Sequence, residues 1–270
     1  MLKILVYFAI FFAIPVATSF LPLDEFTRNS LAVLILFLLT WLLYKKEGKT
    51  LAALGLTLKA KTLRFLPLGL LVGILFFCVL LFFQKIYNGL SITLNPHADY
   101  TLIATGLLLA LPGVLMEELI FRGYCLHKAV YQAGPVKANL LFAFFFIVWH
   151  WLAFNAWGNV GLMLSLMTTG FGHILFAAAL GRSKTLFFPI AIHLGNNWAS
   201  RYLFALNMGG IVDPKKASNS LFLTSAQPTQ FSNMHVVGGY LISITCFIIC
   251  TAMILLLFRK KAAPEHTRQS

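Results

Sequence analysis

Apolar residues dominate the chain in long runs, broken by short polar punctuation. Eight runs approach the roughly 20 apolar residues that one bilayer crossing needs. They lie near 3–21, 30–44, 65–86, 100–121, 138–156, 160–181, 186–206 and 237–258. The pattern predicts an all-α polytopic membrane protein with about eight transmembrane helices enclosing a polar intramembrane cavity. No internal repeat or low-complexity tract divides it, so a single integral membrane domain over 1–270 is expected. The first run could also be read as a signal peptide, with Lys3, an apolar stretch and then Val16-Ala17-Thr18. An uncleaved first span is preferred, because it makes the charge alternation work.

Only 11% of the 270 residues are charged, far below the share in soluble domains, and the net charge is +13. In a chain this apolar, basic residues serve as orientation signals, and a nucleic-acid partner is not expected. With the amino terminus placed in the cytoplasm, alternation puts 16 of the 21 Lys and Arg inside. The five on the other side are Arg28, Lys85, Arg201, Lys215 and Lys216. That bias predicts a multi-pass protein of the cell membrane with both termini cytoplasmic. Residues 45–64 read as a basic segment lying on anionic headgroups, and 207–236 as a polar external loop without evident chemistry. Cys78, Cys125, Cys246 and Cys250 show neither zinc-type spacing nor a disulfide framework and read as packing residues.

Against this background the segment Met116-Glu117-Glu118-Leu119-Ile120-Phe121-Arg122-Gly123 stands out. Two of the chain's eight acidic residues fall at the end of an apolar run. Ionisable groups at membrane depth are expensive and mark functional sites unless they merely snorkel from a helix end. Glu118 and Arg122 are four apart and can pair, and Glu117 points about 100° away from Glu118. Measured along ideal helices from basic markers, Glu117, His150, His173 and His193 reach similar depths on four different spans. Asn197 lies one turn beyond His193, on the same face. Two donors stacked in this way can serve an oxyanion hole, or can simply bond neighbouring helices. Pro112, about a turn before Glu117, is expected to break its helix and help open a cavity, and Pro189, a turn before His193, either does the same or starts its helix.

The sequence contains no H-E-x-x-H and no G-x-S-x-G. Carboxylates, imidazoles and an amide remain. Such a set can run acyl hydrolysis by glutamate-activated water, or hold a divalent metal such as zinc that activates the water instead. The residues alone leave both open.

In these positions the sequence resembles the CPBP intramembrane proteases, which include the CAAX prenyl endopeptidases and the bacterial Abi proteins. Glu117, Glu118 and Arg122 match a Glu-Glu-x-x-x-Arg motif, Phe146 and His150 a Phe-x-x-x-His motif, and His193 and Asn197 a His-x-x-x-Asn motif. The similarity covers roughly 103–200, the expected catalytic core. The resemblance implies an intramembrane endopeptidase acting on a membrane-associated or lipid-anchored peptide or protein. In it Glu117 activates water with help from His150, and His193 and Asn197 stabilise the oxyanion. Glu118 and Arg122 support the site, and Glu118 can share in water activation. Of the metal-dependent and metal-free mechanisms described for the family, the metal-free one is the reading adopted, with zinc left open as a cofactor. His173 lies outside the family pattern and reads as packing or interhelical bonding, with a place lining the cavity as the alternative. The alternatives are a non-catalytic immunity or scaffold protein on the same fold, and a transporter, whose expected paired halves the sequence does not display.

Overall fold

The structure is a computed structural model that describes residues 1–205, 219–225 and 233–258. Lys215, Lys216, most of the polar 207–236 loop and the basic tail from Arg259 onward lie outside the described residues. Eleven helices are described: α1 Leu2–Ser19, α2 Glu25–Lys46, α3 Ala60–Leu63, α4 Phe65–Asn88, α5 Tyr100–Arg122, α6 Tyr124–Ala133, α7 Pro135–Ala153, α8 Val160–Leu166, α9 Thr168–Ser183, α10 Phe187–Trp198 and α11 Asn233–Leu257. A short antiparallel pair joins β1 Ser91–Leu94 to β2 Phe222–Ser225. The hydropathy pattern gave no hint of it, because four-residue strands in loops leave no periodic trace.

Seven stretches of the described residues are long and apolar enough to cross a membrane, which makes this a multi-pass membrane protein. Three of them join consecutive helices: α3 with α4, α5 with α6, and α8 with α9. The eighth apolar run forms α10, 12 residues long, continued by a five-residue π-helical turn over Ala199–Leu203. Together these rise only about 25 Å.

Pro112 does not interrupt its span. α5 runs unbroken from Tyr100, whose neighbour Asp99 caps the Leu102 amide at 2.9 Å, through to Arg122. The break falls at Gly123, where φ is −78° and ψ is −138°, and α6 starts beyond it. A Cβ at 123 would come within 2.2 Å of the Leu119 carbonyl oxygen, so the turn needs glycine. A depth for Glu117 measured along one ideal helix from a basic residue beyond Gly123, such as Lys128, therefore does not hold. Pro189 sits in the first turn of α10, where proline costs no intrahelical hydrogen bond.

The basic ends of the helices gather at one end of the bundle. The terminal amine of Met1 donates to Gln132 at 2.8 Å. Glu47, just after α2, pairs with Lys128 of α6 and accepts from Tyr124 Oη at 2.7 Å. Tyr44 Oη meets His127 Nδ1 at 2.7 Å. Phe258, after α11, packs on Phe65 and Phe188. The segment 45–64 is more than a headgroup-facing strip. Leu54 is buried, its carbonyl accepts from Leu186 N at 3.0 Å, and the Gly55 carbonyl accepts from Thr185 Oγ1 at 2.8 Å. Gly55 has φ +68°, and a Cβ there would lie 2.1 Å from the Lys184 carbonyl oxygen. This docking fixes where α10 begins.

Small residues then set how closely α10 lies on α4. A Cβ at Gly73 would meet the Ile192 carbonyl oxygen at 2.0 Å and the Asn196 amide nitrogen at 2.8 Å. A Cβ at Gly195 would meet the Leu70 carbonyl oxygen at 2.3 Å. In lipid, where apolar burial drives helices together only weakly, such backbone approach is a main source of association.

Two predictions follow from these contacts. Gly73→Ala forces two backbones apart and is expected to destabilise by about 1–3 kcal/mol, as overpacking does. Gly181→Ala, where a Cβ meets nothing within 4 Å, is expected to be neutral or slightly stabilising. Thermal melts of the two variants in one detergent check the contrast. The second concerns Glu47, whose carboxyl is pulled from the ordinary 4.5 down to about 2, chiefly by its bond to the Lys128 ammonium. Because the folded-state value is depressed, the stabilisation is complete above about 4.5 and is lost as pH falls toward about 2. The effect is expected to be small, since Glu47 is largely solvent-accessible. Melting curves of wild type and Glu47→Gln should converge as pH falls through that window.

Candidate active site

Four helices bring the polar residues together: α5 carries Glu117, Glu118 and Arg122, α7 carries Trp149 and His150, α9 carries His173, and α10 carries His193 and Asn197. The i, i+4 pair forms, with Arg122 Nη1 donating to Glu118 Oε1 at 3.2 Å and both side chains fully buried. The guanidinium lies over the Phe146 ring at 4.3 Å and the Phe176 ring at 5.0 Å. A buried cation needs this company, since a bare one would be strongly destabilising.

Glu118 Oε1 also meets His193 Nδ1 at 2.9 Å. A carboxylate oxygen bound to Arg122 acts as acceptor, so Nδ1 carries the proton and donates. Phe176 stacks on the His193 ring at 4.7 Å and 18°, so one phenyl group covers both the guanidinium and the imidazole. The result is a fixed chain, Arg122 to Glu118 to His193, that leaves Nε2 facing away from Glu118.

Glu117 occupies that other side. Its Oε2 lies 3.7 Å from His193 Nε2, an electrostatic contact too long for a direct hydrogen bond. Its Oε1 accepts from Trp149 Nε1 at 3.3 Å. Glu117 keeps 18% of its side-chain surface accessible while Glu118 keeps none. The adjacent carboxylates therefore sit in different settings: one is sealed and bound to two partners through Oε1, the other partly open, and each has an Oε2 without a hydrogen bond.

His150, buried, gives its Nδ1–H to the Phe146 carbonyl at 2.7 Å, which is an acceptor only. That bond fixes the tautomer and leaves Nε2 as the free nitrogen, with the ring in electrostatic reach of Glu117. Asn197 is half-buried one turn past His193, and its Oδ1 accepts from Asn196 Nδ2 at 3.4 Å. Its amide N–H groups are not engaged with the two glutamates. The π-helical turn starts two residues later, a local irregularity that often accompanies functional positions. His173 is fully buried beside Phe142 and Phe146 and makes no side-chain hydrogen bond to a described residue. It packs and does not bond helices together.

Two contributors escaped the sequence reading. Trp149 precedes His150, and the only hint was that a buried indole N–H needs an acceptor. Phe176, one turn after His173, gave no signal among 26 phenylalanines. As for a metal ion, no three His, Cys, Asp or Glu side chains among the described residues stand close enough to share one. Zinc requires at least three protein ligands; His193, with Nδ1 on Glu118, offers Nε2 alone. The described residues do not assemble the three-ligand set that a resident zinc would need.

Comparison with known proteins agrees with the motifs. No curated protein and no solved structure matches the chain. Residues 99–199, which hold all three motifs, match the family described as Rce1-like, type II CAAX prenyl endopeptidase. This match, over a segment that carries the paired glutamates on α5 and the two histidine motifs on α7 and α10, supports a protease of the CPBP family.

Proposed function

We propose that the protein is an intramembrane endopeptidase in which Glu117 activates water against a peptide bond of a membrane-associated or lipid-anchored substrate. The observation that carries this reading is the division between the two glutamates. Glu118 is sealed and tied through Oε1 to both Arg122 and His193, whereas Glu117 keeps 18% of its side-chain surface accessible and accepts a hydrogen bond from Trp149. A general base must be reachable by water, and of the two carboxylates only Glu117 keeps accessible side-chain surface.

Glu117 takes a proton from water as the oxygen attacks the scissile carbonyl carbon. His150, its Nδ1–H tied to Phe146, offers Nε2 to the same water. The tetrahedral oxyanion is met by the Asn197 amide and by His193, which serves as an imidazolium with Nδ1–H on Glu118 and Nε2–H toward the substrate. Two carboxylates facing one guanidinium leave a net negative charge, which the imidazolium cancels. Collapse of the intermediate breaks the C–N bond, and Glu117 returns its proton to the leaving amine. Arg122 and Glu118 hold His193 throughout.

The substrate class implied by the family is a peptide with a prenylated cysteine near its carboxyl terminus. The whole chain acts as one membrane domain, with 103–200 as its catalytic core and both termini in the cytoplasm. The gathering of basic helix ends at one end of the bundle supports that orientation.

With purified protein and an internally quenched, farnesylated CAAX-type peptide, Glu117→Gln is expected to lower turnover by about 10²–10⁴, the worth of a general base. Expression and melting should stay near wild type. Retained cleavage would reject Glu117 as the base. Because the donor geometry does not favour a resident metal, turnover is expected to survive o-phenanthroline and EDTA. A loss that zinc restores would overturn the metal-free mechanism.

A further inference from the structure

We infer that Trp149 is a positioning residue for Glu117, and that α1, a helix outside the family-matched segment, holds Trp149 in place through Phe12. The inference rests on the reading of Glu117 as the base. It concerns what keeps that carboxylate aimed.

The terminal torsion of a glutamate is soft, so an unrestrained carboxylate exchanges its oxygens freely. Here Oε1 accepts the indole N–H of Trp149 at 3.3 Å, and that bond turns Oε2 toward His193 Nε2 at 3.7 Å. The indole in turn is held from two sides. Phe12 of α1 meets its ring edge-on, at 5.3 Å and 83°, and Phe121 of α5 lies at 6.5 Å.

Phe12 is itself fixed by the rest of α1. One turn earlier on the same face, Phe8 stacks on Phe145 of α7 at 4.7 Å and meets Phe121 of α5 at 5.7 Å. Phe8 thus keys α1 to both helices of the site, and Phe11 beside it is buried. The matched segment begins at residue 99, so this support comes from elsewhere in the chain. Phe12 touches no reacting group, and its effect must pass through the indole.

The test uses the full chain in detergent with the farnesylated quenched peptide, reading kcat and KM separately. Trp149→Phe keeps an aromatic ring against Phe12 and removes the N–H. It is expected to lower kcat roughly ten- to a hundredfold, the range for a hydrogen bond to a charged group, with KM and melting unchanged. Trp149→His places a nitrogen at the ring position of the indole N–H and is expected to recover most of that loss. Phe12→Ala should lower kcat in the same direction and add little in combination with Trp149→Phe. Wild-type kcat in Trp149→Phe, or an equal loss in Trp149→Phe and Trp149→His, overturns the positioning role. Full additivity of Phe12→Ala with Trp149→Phe overturns the part assigned to α1. Glu117→Gln serves as the control. If it still cleaves, the underlying reading fails. If it is inert while Trp149→Phe is unimpaired, only this inference fails.

Discussion

The shared Glu118 oxygen is the contact on which the site depends. One carboxylate oxygen holds a guanidinium from its own helix and an imidazole from another, with none of the three groups more than marginally exposed. Removing any one would leave an uncompensated charge or an unpaired donor in a buried setting, which costs far more than the intact arrangement gains. That asymmetry explains why the trio can serve as a fixed reference. His193 cannot drift without breaking its bond to Glu118, and Glu118 cannot turn without abandoning Arg122.

Much of the fold is arranged to keep that reference intact. Phe146 and Phe176 cover the guanidinium, and Phe176 also covers the imidazole. The glycines at 73 and 195 let α10 lie against α4 at backbone distance, and the docking of 54–55 on 185–186 sets its starting point. A position on α10 is thereby fixed along its axis as well as around it. The same helix is tied to α5 at its far end, where Trp198 Nε1 donates to the Ile103 carbonyl at 2.7 Å.

The legible part of the sequence was the part governed by local rules. Spans follow from hydropathy, and the Glu118–Arg122 pair follows from helical spacing. The motif order named residues that the fold brings together from α5, α7 and α10. What failed depended on information that a linear pattern does not carry. Pro112 looked like a helix breaker because proline costs a hydrogen bond, but α5 absorbs it, and the break falls at Gly123, where a close backbone contact forbids a side chain. The basic stretch 45–64 looked purely interfacial because its charges dominate its composition, while the two residues that dock are an ordinary leucine and glycine. Trp149 and Phe176 look like any other aromatic residues in a lipid-facing chain, and only three-dimensional adjacency gives them meaning.

The contrast between the neighbouring glutamates is a consequence of helix geometry and not of residue type. Consecutive positions on a helix point about 100° apart, so two adjacent carboxylates can face different partners without any break in the backbone. Glu118 faces the His193 imidazole and the guanidinium that offsets its charge, and Glu117 faces an indole and keeps part of its surface accessible. An alanine between them would have required a further helix to deliver the second acid at the same level. Adjacent glutamates place one sealed and one partly accessible carboxylate within one turn, and α5 needs only to reach the centre of the bundle once.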